Sequence, residues 1–248
     1  MPWRETVKMN MFKRDYLGKM RGNKCGLAII AVVMAVLAAG ILPGNPGVQA
    51  AAKVSSGNTF VAEDGNTYTY TLYDDGTAKI TFCNAVNPVV VMPETVDGHA
   101  VTGCGISGDT SKLIPNGVTE IESLYVNSPH IQSFAFASSN LHIGTLTIGE
   151  AVTSYGISIF SGNTIDVLNY NATNASNSGT GTPLGSDPLQ TNPTTVIGHL
   201  SIGDNVQKIP GHMFCNVALE QDELEIHAAT VGSYAFESHG IHIKNFTL

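Results

Sequence analysis

Beyond residue 50 the chain contains no arginine and no tryptophan, since Arg4, Arg14, Arg21 and Trp3 all precede it. That part keeps 5 of the 12 Lys+Arg and 18 of the 20 Asp+Glu, a formal charge of 5 − 18 = −13. An acidic surface without guanidinium groups cannot neutralise a nucleic-acid backbone, settle on an anionic bilayer or fork onto a phosphate, so those three partners are excluded. Cysteine is scarce as well. Cys83, Cys104 and Cys215 are the ones beyond residue 50, an odd and sparse set, so the fold must rest on its core rather than on a disulfide framework. What remains is an acidic, Gly/Asn/Thr/Ser-rich chain with few aromatics and the length of one domain.

The first fifty residues differ from the rest. Arg4, Lys8, Lys13, Arg14, Lys19, Arg21 and Lys24 precede an uncharged apolar run, 26–42, and Pro43-Gly44-Asn45-Pro46 breaks any helix after it. Val48 and Ala50 suit the small-residue pocket of a signal peptidase, so 1–50 reads as a signal peptide cleaved after Ala50, with Ala51 or Ala52 next. The alternative is an uncleaved anchor, because 17 apolar residues sit at the short end of a bilayer span. Either way residues 53–248 are expected outside the cytoplasm, secreted or at the cell surface.

Periodicity organises the remainder. An apolar-x-apolar step recurs as Leu124-x-Val126, Leu146-x-Ile148, Leu168-x-Tyr170, Leu200-x-Ile202, Leu224-x-Ile226 and Phe246-x-Leu248, at intervals of 22, 22, 32, 24 and 22 residues. Each step predicts a short strand whose two marked side chains face one way. After the strand two coil variants alternate. One is Val126-x4-Ile131-x4-Phe136, repeated as Ile226-x4-Val231-x4-Phe236. The other is Ile148-Gly149-x2-Val152-x2-Tyr155, repeated as Ile202-Gly203-x2-Val206-x2-Ile209. A coil of 22–24 residues cannot bury its own apolar face, whereas stacked coils align Leu over Leu and Phe over Phe. The expected fold class is a β-rich repeat solenoid with a parallel ladder of short strands.

The units Leu146-Thr-Ile-Gly-Glu-Ala-Val-Thr-Ser-Tyr155 and Val231-Gly-Ser-Tyr-Ala-Phe236 resemble the BspA-like branch of the leucine-rich repeats, and Tyr68–Val101 resembles that family's lead-in. The resemblance covers about 68–248. It implies a bacterial surface or secreted protein concerned with adhesion, and supplies no ligand. The sequence departs from the family pattern in keeping a Cys after the Phe only at Cys215 and in interrupting the copy that starts at Leu168.

Residues 51–59 read as a linker and 60–88 as an N-terminal β-hairpin cap, with turn chemistry at Asp64-Gly65 and Asp74-Asp75-Gly76. The solenoid is expected over 89–248. Within it 171–195, Asn- and Ser-rich and without period, reads as a loop leaving the stack. Asn171 and Asn174 stand in glycosylation-type triplets inside it. At the far end the chain stops in a strand step at Leu248, which leaves open a longer natural protein or a partner over that edge.

Searches for chemistry return structural explanations. Gly103-Cys-Gly105-Ile-Ser-Gly108 spells a dinucleotide fingerprint, yet Pro115 cuts short the helix it needs. His239, His242 and His227 lack the spacing of a zinc site. Cys215 with His212 has no orienting third group. Glu220, Asp222, Glu223 and Glu225 read as solvated surface charge. No catalytic, cofactor or metal residues are therefore expected. The expected function is a non-enzymatic module binding an extracellular protein or glycan. Its candidate contacts are the outward x positions of the strands, Tyr125, Thr147, Asn169, Ser201 and Glu225, with Thr247 continuing the row. The alternative function is a structural or targeting module of a larger surface protein extending beyond residue 248.

Overall fold

The computed structural model describes residues 50–106, 112–115, 117–137, 141–177, 181–185 and 195–248. Residues 1–49 of the expected signal peptide, 1–50, lie outside them, and Ala51–Leu248 is one unit. Every regular element among the described residues is a strand.

The unit begins with an antiparallel meander, β1 (Lys53–Val61), β2 (Thr67–Tyr73) and β3 (Ala78–Asn84). The expected hairpin is its β2–β3 half, and most of the expected linker is β1. Asn66, fully buried, ties this cap to the segment 86–89. Its Oδ1 accepts from the backbone N–H groups of Val86 (3.0 Å) and Asn87 (2.9 Å), and its Nδ2 donates to the Val89 carbonyl (2.9 Å). Tyr68 donates to the Val91 carbonyl (2.8 Å) and Tyr70 to Asp97 (2.6 Å), so two phenols latch the cap onto the first coil. β4 (Val89–Val91) opens one wall of the solenoid. β5 (Thr95–Val96) pairs antiparallel with β6 (His99–Cys104), which runs parallel beside β3.

Each following coil up to β16 contributes one long strand and one short one, and β17 adds a last long strand. The long strands are β7 (Glu120–Val126), β9 (His142–Ile148), β11 (Thr164–Tyr170), β13 (Thr195–Ile202), β15 (Val217–Glu225) and β17 (Gly240–Thr247). With β4 they form a seven-stranded parallel sheet in the order β17-β15-β13-β11-β9-β7-β4. The two-residue strands β8 (His130–Ile131), β10 (Ser154–Tyr155) and β12 (Ser176–Asn177) extend the cap's sheet beyond β6, and β14 (Lys208–Ile209) pairs with β16 (Thr230–Val231). Residues of both walls belong to one buried cluster. This is the solenoid that the sequence periodicity requires.

Its ladders run in register. Leu124, Leu146, Leu168 and Leu200 are successive partners, as are Val126, Ile148, Tyr170 and Ile202. A third ladder, Ile121, Ile143, Ile165, Ile197 and Leu219, runs three residues ahead and lengthens the strands beyond the three-residue steps expected. Between the walls Phe136 stacks on Phe160 (5.0 Å), and Phe214 packs on Tyr170 (5.8 Å) and Phe236 (4.9 Å). Each such side chain contributes about 1.5–3 kcal/mol by burial. At the last strand the ladder meets solvent, with Phe246 45% exposed.

The alternation of coil variants has a steric cause. A Cβ at Gly149 would collide with Asn127 Oδ1 of the coil below, and one at Gly203 with Asn171 Oδ1. Asn127 in turn accepts the Ala151 N–H (2.9 Å) and donates to Glu94 (2.7 Å). A coil that places Asn after its strand therefore demands Gly at the same point of the next.

The segment 171–195 differs from its expectation of a loop leaving the stack. Ala172, Ala175, Leu184 and Thr195 are fully buried. The Ser158 and Ile159 N–H groups donate to the carbonyls of Thr182 and Pro183, both at 2.7 Å. The segment thus continues the coil by backbone pairing and delivers Leu184 to the core. Residues 178–180 and 186–194, where the rest of the expected loop falls, lie outside the described residues.

Candidate outward-face site

On the seven-stranded sheet, residues between the buried ladders point away from the core. Tyr125, Thr147, Asn169 and Ser201 are consecutive partners across β7, β9, β11 and β13, and Glu225 pairs with Thr247 across β15 and β17. At about 4.8 Å between strands the first four span some 14 Å in a straight line. Tyr125, Thr147 and Asn169 are half-buried by one another, whereas Ser201, Glu225 and Thr247 are exposed. The Asn169 amide donates to Thr147 Oγ1 at 3.4 Å, and the Tyr125 hydroxyl leans over Gly149, 2.9 Å from where a Cβ would stand.

The line breaks between β13 and β15. Their ladder is in register only from Thr195–Val217 to Ile197–Leu219. Three residues separate Ile197 from Leu200, but five separate Leu219 from Leu224, and five again separate Ile241 from Phe246. β15 therefore carries two extra residues relative to β13 and matches β17, with which it pairs along its length. Gln221 fills the gap. Its Oε1 accepts the Leu200 N–H (2.9 Å), and its Nε2 donates to the carbonyls of Leu200 (3.3 Å) and Glu223 (2.6 Å). The side-chain amide replaces a missing peptide group in the sheet.

The splay opens a surface cleft of about 350 Å³ that includes Ser201, Asp204, Glu223, Glu225, His199 and His227 in its lining. A second, more open hollow of about 730 Å³ adjoins it along Glu220–Glu223 and shares His199. Glu225 accepts from His227 (3.2 Å), and Asp222 is paired with Lys244. The carboxylates thus outnumber the cations, and the recess presents acceptors of negative charge to solvent. It suits a cationic or hydrogen-bond-donating group of a partner. In the sequence these acids read as solvated surface charge, and nothing there marks His199 or Gln221. The usable signal was the 24-residue interval between Leu200 and Leu224.

The other sequence candidates fall elsewhere. Gly103 and Gly105 lie where neighbouring coils approach closely, since a Cβ would come 2.9 Å from the His130 carbonyl at one and 2.6 Å from Gln132 Cβ at the other. These glycines answer to packing. His227, His239 and His242 are exposed. Burial pushes Cys104 up to about 12, and pushes Cys83 up to about 12 as well, while burial with the Glu237 carboxylate raises Cys215. None of the three described thiols is tuned toward thiolate. A Ser–His contact occurs at Ser154 Oγ and His130 Nδ1 (2.5 Å), between paired residues of β8 and β10. Burial lowers the pKa of this imidazole, a side-chain contact with the Gln132 amide opposes that shift, and no carboxylate among the described residues orients the ring.

No family model matches the chain, and no curated protein does. Among solved structures the chain is similar to a leucine rich cell surface protein from Faecalibacterium prausnitzii A2-165, at 17% identity and a TM-score of 0.38. The alignment covers 77% of this chain and 55% of that one, so the chain spans little more than half of that protein.

Proposed function

We propose that this chain is an exported, non-enzymatic leucine-rich repeat module of the BspA-like kind, and that it binds an extracellular protein or glycan through the outward face of its parallel sheet. The observation that carries this reading is the continuity of polar positions there. Tyr125, Thr147, Asn169 and Ser201 stand in one register and lead into the acidic cleft bordered by Glu225. The core ladders behind them fix the backbone, so the row is rigid before any partner arrives and loses little entropy on binding. Its side chains are mostly small, so affinity comes from area or from several copies acting together. The cleft favours a partner that presents lysine, arginine or hydroxyl groups.

The test is binding of the full chain to an immobilised panel of matrix proteins and glycans, with Tyr125→Ala and Glu225→Ala variants alongside. Saturable binding weakened by both substitutions, with unchanged melting, is the expected outcome. A confirmed ligand that both variants bind as tightly as the parent would remove this face from consideration. Deleting all of 171–195 is a poor probe, because it removes buried Leu184 along with surface.

A further inference from the structure

A second cluster lies away from that face, in the turns that follow the short strands. The turn after β14, His212-Met-Phe-Cys215, closes with the Cys215 N–H on the His212 carbonyl (3.2 Å), and Phe214 is sunk in the core. The matching turn of the next coil, Tyr234-Ala-Phe-Glu237, sits directly on it. The N–H groups of His212, Phe214 and Asn216 donate to the carbonyls of Ser233 (3.1 Å), Ala235 (2.7 Å) and Glu237 (3.1 Å). Glu237 therefore takes, 237 − 215 = 22 residues on, the repeat position of Cys215. The equivalent places in earlier coils hold Phe134 with Ala137 and Ser158 with Ser161. Among the described residues, only these two turns bring an imidazole, a thiol and a carboxylate together by stacking.

We propose that His212, Cys215 and Glu237 form a three-ligand site for a borderline-soft divalent cation, with Zn²⁺ the best match. One ligand atom from each lies within 4.8 Å of the others. A tetrahedral ion with bonds of about 2.0–2.3 Å needs its ligand atoms roughly 3.3–3.8 Å apart, so small side-chain rotations close the site. Two further observations point to a ligand. His212 Nδ1 is shut off from solvent and has no hydrogen-bond partner among the described residues, a costly state that a metal bond relieves. The ring also packs against Tyr234, with centroids 5.1 Å apart and planes tilted by 32°, on a backbone in the left-handed region (φ 57°). The sulfur–nitrogen–oxygen donor set selects zinc over magnesium or calcium. With Glu237 exposed, the fourth position is left for water. The site stands independently of the proposed outward-face function.

Cobalt titration of the reduced full-length chain tests it. The expected result is a saturable near-ultraviolet thiolate-to-cobalt band with tetrahedral-type visible absorption, displaced by Zn²⁺. Cys215→Ser should abolish the band and Cys25→Ser should leave it. His212→Ala and Glu237→Gln should each weaken binding by at least about tenfold. Glu237 is exposed, so its variant keeps the fold and remains interpretable even if another variant does not. The proposal is overturned by no band at millimolar cobalt, by a band that survives Cys215→Ser, or by a Glu237→Gln chain that binds as the parent does.

Discussion

Gln221→Ala is the sharpest probe of the splayed sheet. The substitution removes one hydrogen bond to the Leu200 N–H, one to the Leu200 carbonyl and one to the Glu223 carbonyl. Leu200 is itself buried, but it also lines the open cleft, so water can reach part of what Gln221 leaves behind. The net cost is then about 1–3 kcal/mol rather than the full penalty for several orphaned groups. For a folded unit of 248 − 50 = 198 residues this lowers Tm by roughly 2–4 °C per kcal/mol. Hydrogen exchange gives the local readout. The Leu200 amide should exchange about 5–150-fold faster, while Leu168 and Leu146, whose partners are backbone, should not change unless the whole array loosens. Gln221→Glu should keep the acceptor, lose both donated bonds and add a carboxylate beside Glu220, Asp222 and Glu223, so it should be worse at neutral pH than in mild acid. A Leu200 amide equally protected in parent and Ala variant, with unchanged Tm, would refute the claim that Gln221 completes the sheet.

Gly149→Ala should cost about 1–3 kcal/mol in urea unfolding, because its Cβ drives Asn127 away from the Ala151 N–H and Glu94. Adding Asn127→Ala should recover part of that loss, and an additive double variant would contradict the steric account. His142 donates to Asp166 at 2.8 Å, and that bond raises its pKa above the ordinary 6.5. The pair's stabilising contribution is therefore present below the unfolded value and lost as pH rises through the raised folded one. An NMR titration should place the His142 midpoint above 6.5 and Asp166→Asn should return it. A parent midpoint at or below 6.5 would show the pair is not formed in solution.

What the sequence displayed and what it concealed divide along one physical line. A buried position in a repeat is written several times, so Leu124, Leu146, Leu168 and Leu200 announce both their face and their register before any coordinates are known. The isoleucine ladder three residues ahead is equally legible, because Ile121, Ile143 and Ile165 recur at the same interval as the leucines, but a three-residue step is too short to include it. The outward row follows from the same alternation, since a position between two inward ones has nowhere else to point. Features that occur once have no such redundancy. Leu184 sits among Asn, Ser, Gly and Pro, 24 residues after Phe160 but with Leu in place of Phe, so composition alone argues for a loop. Gln221 satisfies backbone groups that exist only because β15 is longer than β13, and no local pattern marks it.

The intervals, though, carry more than a count of coils. A parallel ladder tolerates no change of length in one strand unless the neighbour matches it or something fills the difference. An interval above 22 is therefore a physical event whose place can be sought. In the 32-residue interval Thr182 and Pro183 accept from Ser158 and Ile159 as Ile157 and Ile159 accept from Phe134 and Phe136 one coil earlier, so this stretch keeps the ordinary place of the turn and the excess lies elsewhere in the interval. The 24-residue interval spends its excess inside a strand. There β17 repeats the change, Gln221 bridges the mismatch, and the cleft is the space left over. Sameness between coils builds the core, so recognition has to be sought where consecutive coils differ. On that criterion the β13–β15 junction, with its carboxylates and two imidazoles, is a stronger candidate for contact than the regular Thr147–Asn169 stretch, and Glu225→Ala should weaken a confirmed ligand more than Thr147→Ala does.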